Sequence, residues 1–216
     1  ALDSTGNMYI VGQFYTSGDF DPGPDTAILT GSNTNISEDI FVCKLSTDGN
    51  FLWANAIIAS TNLGTATVYS AAVDANGNIY TTGWITGLNV DLDPGAGVDS
   101  YTRNAGAFIQ KLDSSGNYVW GTVLPDRSYS AAIAIDSLSN VYYSGSFNAT
   151  MDFDPGNGTT EMTPSGGSAF VCKLDSSGNF VWAKQFGGGP RDLVIDRFFN
   201  VYLTGSFSGI RDFDPG

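Results

Sequence analysis

Apolar residues in this chain fall in short runs bounded by turns rich in Asp, Asn and Gly, and no stretch of 11 or more residues keeps the spacing of an amphipathic helix. Three runs are small and apolar: Ser70-Ala-Ala-Val73, Ala132-Ile-Ala-Ile135 and Leu193-Val-Ile195. Each passes through a turn of Asp-x-x-Gly-Asn type into a second run, Asn78 to Trp84 in the clearest copy. A third run reads Phe41-Val-Cys-Lys-Leu45, Phe108-Ile-Gln-Lys-Leu112 or Phe170-Val-Cys-Lys-Leu174. After another such turn a fourth closes on Phe51-Leu-Trp53, Tyr118-Val-Trp120 or Phe180-Val-Trp182. Asp and Asn cap their own turns and Gly takes positive φ freely, so these are hairpin signals. Alternation is weak in the first and third runs, as expected of strands covered on both faces. The pattern predicts four strands, A to D, in each of several units.

The units repeat with a period of 60 to 72 residues. The A–B turn recurs as Asp3-Ser-Thr-Gly-Asn-Met-Tyr9, Asp74-Ala-Asn-Gly-Asn-Ile-Tyr80, Asp136-Ser-Leu-Ser-Asn-Val-Tyr142 and Asp196-Arg-Phe-Phe-Asn-Val-Tyr202. Asp-Phe/Leu-Asp-Pro-Gly recurs at 19–23, 91–95, 152–156 and 212–216. Four-stranded antiparallel units repeated in line stack as blades, so the fold class expected is all-β, a β-propeller with about three and a half blades in this chain. Blade 1 covers about residues 1–59, blade 2 about 66–124, blade 3 about 128–186 and half of blade 4 about 191–216. A solenoid or a stacked sandwich is the alternative, because both reuse hairpins. The extra length over a 40–45-residue blade lies between strands B and C, in the segment with the Asp-x-Asp-Pro-Gly motif. Where the turn glycine is replaced, by Ser139 and Phe199, a different turn geometry is expected. The count of three and a half also implies a piece of a longer chain, with exposed apolar faces and strand edges that invite association.

The series Gly-Asn-x-Tyr-x-x-Gly, Asp-Phe-Asp-Pro-Gly and Phe-Val-x-Lys-Leu-Asp-x-x-Gly-Asn-Phe-x-Trp resembles the SBBP β-propeller repeat over essentially the whole chain. The resemblance implies a module of large bacterial secreted or cell-surface proteins, with no catalytic residues to carry over.

Composition narrows the chemistry. The formal net charge is −13 with only 9 Lys and Arg, which argues against nucleic acid and anionic membranes as partners. The chain has no histidine, so Ser-His-Asp and Cys-His catalysis and imidazole-based zinc sites are excluded. No apolar run is long enough for a membrane-spanning helix, and no membrane insertion is expected. Of 22 acidic residues only Glu38 and Glu161 are glutamates, and 15 of the aspartates sit in the two recurring motifs. The acidity is therefore mainly repeated turn chemistry.

The candidate metal ligands are Asp19, Asp21, Asp91, Asp93, Asp152, Asp154, Asp212 and Asp214. In an extended segment each pair points to one side and could meet Ca²⁺, which takes six to eight oxygens. Two carboxylates per motif fall short of that number, and a structural role is preferred, with Pro-Gly forming the turn and Asp capping amides. Trp84 stands where the other copies have Gln13, Ser146 and Ser206. A β-bulge that accommodates it is preferred over an exposed ring for stacking on a sugar or partner. Cys43 and Cys172 share one strand-C position a whole blade apart, too far for a disulfide, and are read as small buried thiols. Gly187-Gly-Gly-Pro190 reads as a flexible connection, and the unique acids Asp39, Asp126 and Glu161 show no pairing. The function expected is a non-catalytic structural or binding module of an extracellular protein, its long B–C loops reaching a protein or glycan. The alternative is a propeller enzyme, a polysaccharide lyase or hydrolase using aspartates or a bound cation.

Overall fold

The computed structural model describes residues 1–32, 38–59, 64–87, 90–101, 105–125, 127–164, 168–211 and 213–214. Among them there is no helix, so none long and apolar enough to cross a membrane. The first unit contains β1 (Met8–Phe14), β2 (Ser17–Asp19), β3 (Ile28–Thr30), β4 (Asp39–Leu45) and β5 (Phe51–Ile57). The second contains β6 (Thr65–Val73), β7 (Ile79–Thr86), β8 (Val90–Asp91), β9 (Ser100–Tyr101), β10 (Ala105–Leu112) and β11 (Tyr118–Val123). The third repeats this with β12 (Ser128–Ile135), β13 (Val141–Phe147), β14 (Met151–Asp152), β15 (Glu161–Met162), β16 (Ser168–Leu174) and β17 (Phe180–Gly187). The last comprises β18 (Gly189–Ile195) and β19 (Val201–Ser206).

Units two and three are four-stranded antiparallel sheets in the order β6-β7-β10-β11 and β12-β13-β16-β17, the A-B-C-D order of the sequence pattern. Unit one has β1-β4-β5, and Leu2 bridges Met8 where strand A would lie. The register is the same throughout. Tyr9, Tyr80 and Tyr142 lie opposite Lys44, Lys111 and Lys173, and Gly12, Gly83 and Gly145 lie opposite Phe41, Phe108 and Phe170. The long B–C segments are not plain loops. Each carries its own two-stranded ribbon, β2-β3, β8-β9 or β14-β15.

Apolar side chains fill the space between consecutive sheets. Ile40 and Ile57 of unit one meet Ile85, Leu92 and Phe108 of unit two; Tyr80 and Ile109 of unit two meet Ile133, Tyr143 and Phe170 of unit three. Strand C is buried on both faces, which explains why its sequence does not alternate. The A strands β6, β12 and β18 pack next to one another in succession.

Two expectations are corrected. The turns at Ser139 and Phe199 keep the geometry of their glycine counterparts, because both residues adopt positive φ, 61° and 66°, against 79° at Gly77. Six-point capping of the turn by Asp136 or Asp196 holds them there, as described below. Gly187-Gly-Gly-Pro190 is no flexible connection: Gly187 ends β17, Gly189 and Pro190 begin β18, and only Gly188 lies outside a strand. Strand A is longer than its apolar run because a bulge between Pro190 and Asp192 lets it continue, as between Val68 and Ser70 and between Ser130 and Ala132.

Candidate functional site

The repeated turns explain most of the aspartates. Asp74 Oδ1 accepts the amides of Asn76 (2.9 Å) and Asn78 (3.0 Å), and Oδ2 accepts Asn78 Nδ2 (2.8 Å) and the Tyr80 hydroxyl (3.1 Å). Two backbone bonds close the same turn, Asp74 N to Asn78 O and Gly77 N to Asp74 O, each 3.0 Å. Asp136 and Asp196 repeat all six bonds, and Asp3, Asp113 and Asp175 repeat the set without the tyrosine. In the first C–D turn Ser46, not Asp48, takes this role; its Oγ accepts the amides of Asp48 (3.3 Å) and Asn50 (3.1 Å). For Asp3, Asp74, Asp113 and Asp136 burial pushes the pKa up, but the donated hydrogen bonds outweigh it; for Asp175 and Asp196 the bond from Asn179 or Asn200 leads. All six carboxyls lie below the usual aspartate range.

The Asp-x-Asp-Pro-Gly corners close the ribbons. Asp152 Oδ1 accepts Asp154 N (3.0 Å) and, eight residues on, Thr160 N (2.7 Å); Asp154 Oδ1 accepts Gly156 N (2.7 Å). Asp91 and Asp93 do the same with Asp93, Asp99 and Gly95, and Asp19 and Asp21 with Asp21, Ala27 and Gly23. One oxygen of each of these carboxylates thus serves backbone amides. Among the described residues no three His, Cys, Asp or Glu side chains gather where they could hold a metal. Asp212 lies outside the described residues; Asp214 is described but exposed.

Lysines recurring in strand C form an unanticipated link between units. Lys44 Nζ sits 4.7 Å from the centre of the Tyr9 ring, 3.5 Å from Asp3, and donates to Ser114 O in the C–D turn of the next unit at 3.0 Å. Trp53 Nε1 donates to the same carbonyl at 3.2 Å. One unit on, Lys111 lies over Tyr80, and Lys111 and Trp120 both donate to Ser176 O. The signal was available: three of only nine basic residues recur in register.

Trp84 is in regular register with Thr67 and Ala107, and the bulge nearby, between Val68 and Ser70 facing Gly83 and Thr82, recurs in units without the tryptophan. Its half-buried ring stacks on Tyr129 of unit three, centroids 5.8 Å apart, and its Nε1 is buried with no hydrogen-bond partner among the described residues. The extra residue of its repeat falls before Asp91, where 88–89 lie outside the described residues. Asp39 is fully buried and staples Ser32 N (2.6 Å) to Ala59 N (2.7 Å). Glu161 is exposed on β15, opposite Asp152, and Asp126 lies outside the described residues. The sequence pattern also missed Asp99, which accepts the hydroxyls of Tyr118 and Tyr101; burial and this carboxylate raise both tyrosines, keeping them as donors. Both cysteines are free and buried, and burial pushes the Cys172 thiol up to about 12.

The chain has a relative among known sequences. The chain is 30% identical over 215 residues to an uncharacterized WD repeat-containing protein of Acanthamoeba polyphaga mimivirus, an alignment covering 83% of this chain. A propeller-like repeat fold follows from it. The chain spans 15% of that relative's length. No family model matches the chain. Among solved structures, a protein of unknown function from Bacteroides caccae aligns with 91% of this chain and 65% of its own, at 11% identity and a TM-score of 0.41.

Proposed function

We propose that the chain is a non-catalytic β-propeller segment, its units set as blades with the A strands innermost, serving as a structural or binding module of a bacterial secreted or cell-surface protein. The ribbons between strands B and C would be its contact elements, offered to a protein or glycan. The observation that carries this reading is the sameness of the acidic corners: in three consecutive units the paired carboxylates cap the same backbone amides. Catalysis needs an asymmetric set of groups whose acid and base are pushed apart by their surroundings. Here equivalent aspartates have equivalent partners. Placement outside the cell rests on the resemblance to the SBBP repeat.

The test is to screen the chain on a glycan array and, in parallel, to incubate it with a panel of acidic and neutral polysaccharides with and without Ca²⁺. Binding that is lost when the exposed Gly156–Thr159 segment of one ribbon is exchanged for Gly-Ser residues supports the reading. New reducing ends or unsaturated uronates, abolished by Asp152→Asn, would overturn it in favour of a lyase or hydrolase.

A further inference from the structure

Consecutive units leave the same groove between them twice. The first lies between units one and two, has a volume of about 370 Å³ and is lined by Trp53, Asp93, Ser115, Gly116 and Tyr118. The second lies between units two and three and measures about 580 Å³; Trp120, Asp154, Ser177, Gly178 and Phe180 stand at the corresponding places. Both volumes fall in the range of small-molecule sites, about 300 to 1,000 Å³. The two grooves differ in one side chain at the mouth of the C–D turn. Tyr118 carries a hydroxyl that it donates to Asp99, whereas the second groove has the bare ring of Phe180. The larger groove also gains Tyr101 and Asp152 as lining.

We propose that the groove between units two and three binds a neutral sugar residue of a glycan, which deepens the binding-module reading above and rests on it. Among the described residues no Lys or Arg lines this groove, so phosphates, sulfates and uronates meet no countercharge there. Tyr101, Trp120 and Phe180 offer aromatic surface to the C–H faces of a pyranose ring. Trp120 is fixed before any ligand arrives. Its Nε1 donates to Ser176 O at 3.3 Å, and its ring meets Tyr80 edge-on with centroids 6.2 Å apart. Little side-chain freedom is then left to lose on binding. Sugar hydroxyls need acceptors, and the groove has them. Asp152 Oδ1 and Asp154 Oδ1 are taken by backbone amides, while Oδ2 of each accepts no hydrogen bond among the described residues. Thr122 and Ser177 add hydroxyls that can donate as well as accept.

The test is an NMR titration of the isotope-labelled full chain with cellobiose, maltose and N,N′-diacetylchitobiose, with glucuronic acid as the charged comparison. Shifts are followed at the amides of Gly121, Gly156 and Gly178, which line the groove. Saturable shifts are expected with at least one of the three neutral sugars, and binding about tenfold weaker with glucuronic acid. Ser177 is an exposed turn residue whose hydroxyl makes no hydrogen bond among the described residues. Ser177→Trp should therefore fill the groove and abolish the shifts while the melting temperature stays unchanged. Asp152→Asn keeps the oxygen that caps Asp154 and Thr160 and should weaken binding about tenfold. No shift at these amides up to about 50 mM sugar, equal binding of glucuronic acid, or shifts that survive Ser177→Trp would each overturn the proposal. Glycan-array binding that survives Ser177→Trp but is lost with the Gly156–Thr159 exchange would sink this site and leave the module reading standing.

Discussion

In each of six turns one aspartate carboxylate organises the backbone, and replacing it has a definite cost. Asp74→Ala removes four side-chain hydrogen bonds and leaves the amides of Asn76 and Asn78 and the buried Tyr80 hydroxyl without their acceptor, so a loss of about 3 kcal/mol is expected by urea denaturation. Phe199 offers the opposite experiment. Its positive φ of 66° costs an L-residue about 1 kcal/mol, so Phe199→Gly should raise stability by up to that amount, the ring being exposed. Lys111 is nearly buried, and burial lowers its pKa while Asp74 opposes the shift. Lys111→Met keeps the stem but deletes the donor to Ser176 O, and about 2 kcal/mol should be lost.

At the scale of elements, each sheet owes its stability to strand C, buried on both faces, and to the pins that reach the next unit's C–D turn. Cys43 and Cys172 lie on that strand, and burial raises both thiols. Neither should react with Ellman's reagent in the folded protein at neutral pH, and both should react in denaturant. The ribbons are separate small elements. Asp152→Ala should speed hydrogen exchange at the amides of Asp154 and Thr160 while the melting temperature falls only slightly, because β14 and β15 pair with no other strand. The hairpin signals were readable in the chain because Asp, Asn and Gly act within five residues of one another. The ribbons were not, since Asp152 reaches Thr160 across a loop of no regular pattern.

For the whole molecule the six turn carboxyls act together. Their folded pKa values lie below the ordinary 3.8, so the stability they contribute is fully present above that value and is lost as pH falls through the folded pKa. The urea midpoint should be nearly flat from about pH 8 to 5 and drop below about pH 4, even though acid also relieves the −13 net charge. EDTA should leave the melting temperature unchanged, since the corner carboxylates serve backbone amides; a drop of several degrees would instead favour bound Ca²⁺.

Strand order, turn positions and the buried register of Tyr, Gly, Lys and Phe were determined by the sequence itself, because each depends on residues close in the chain and repeated with a fixed period. That Asp19 and Asp21 cap amides was legible in the motif, but which amides was not: Ala27 lies eight residues beyond Asp19 and only the folded ribbon brings it there. The role of Lys44 and Lys111 was likewise decided by tertiary structure, since their acceptors lie some seventy residues away in the next unit. Turn geometry at Ser139 and Phe199 shows the same division. Local preference argued for a different turn, and the capping bonds of Asp136 and Asp196 outweighed it.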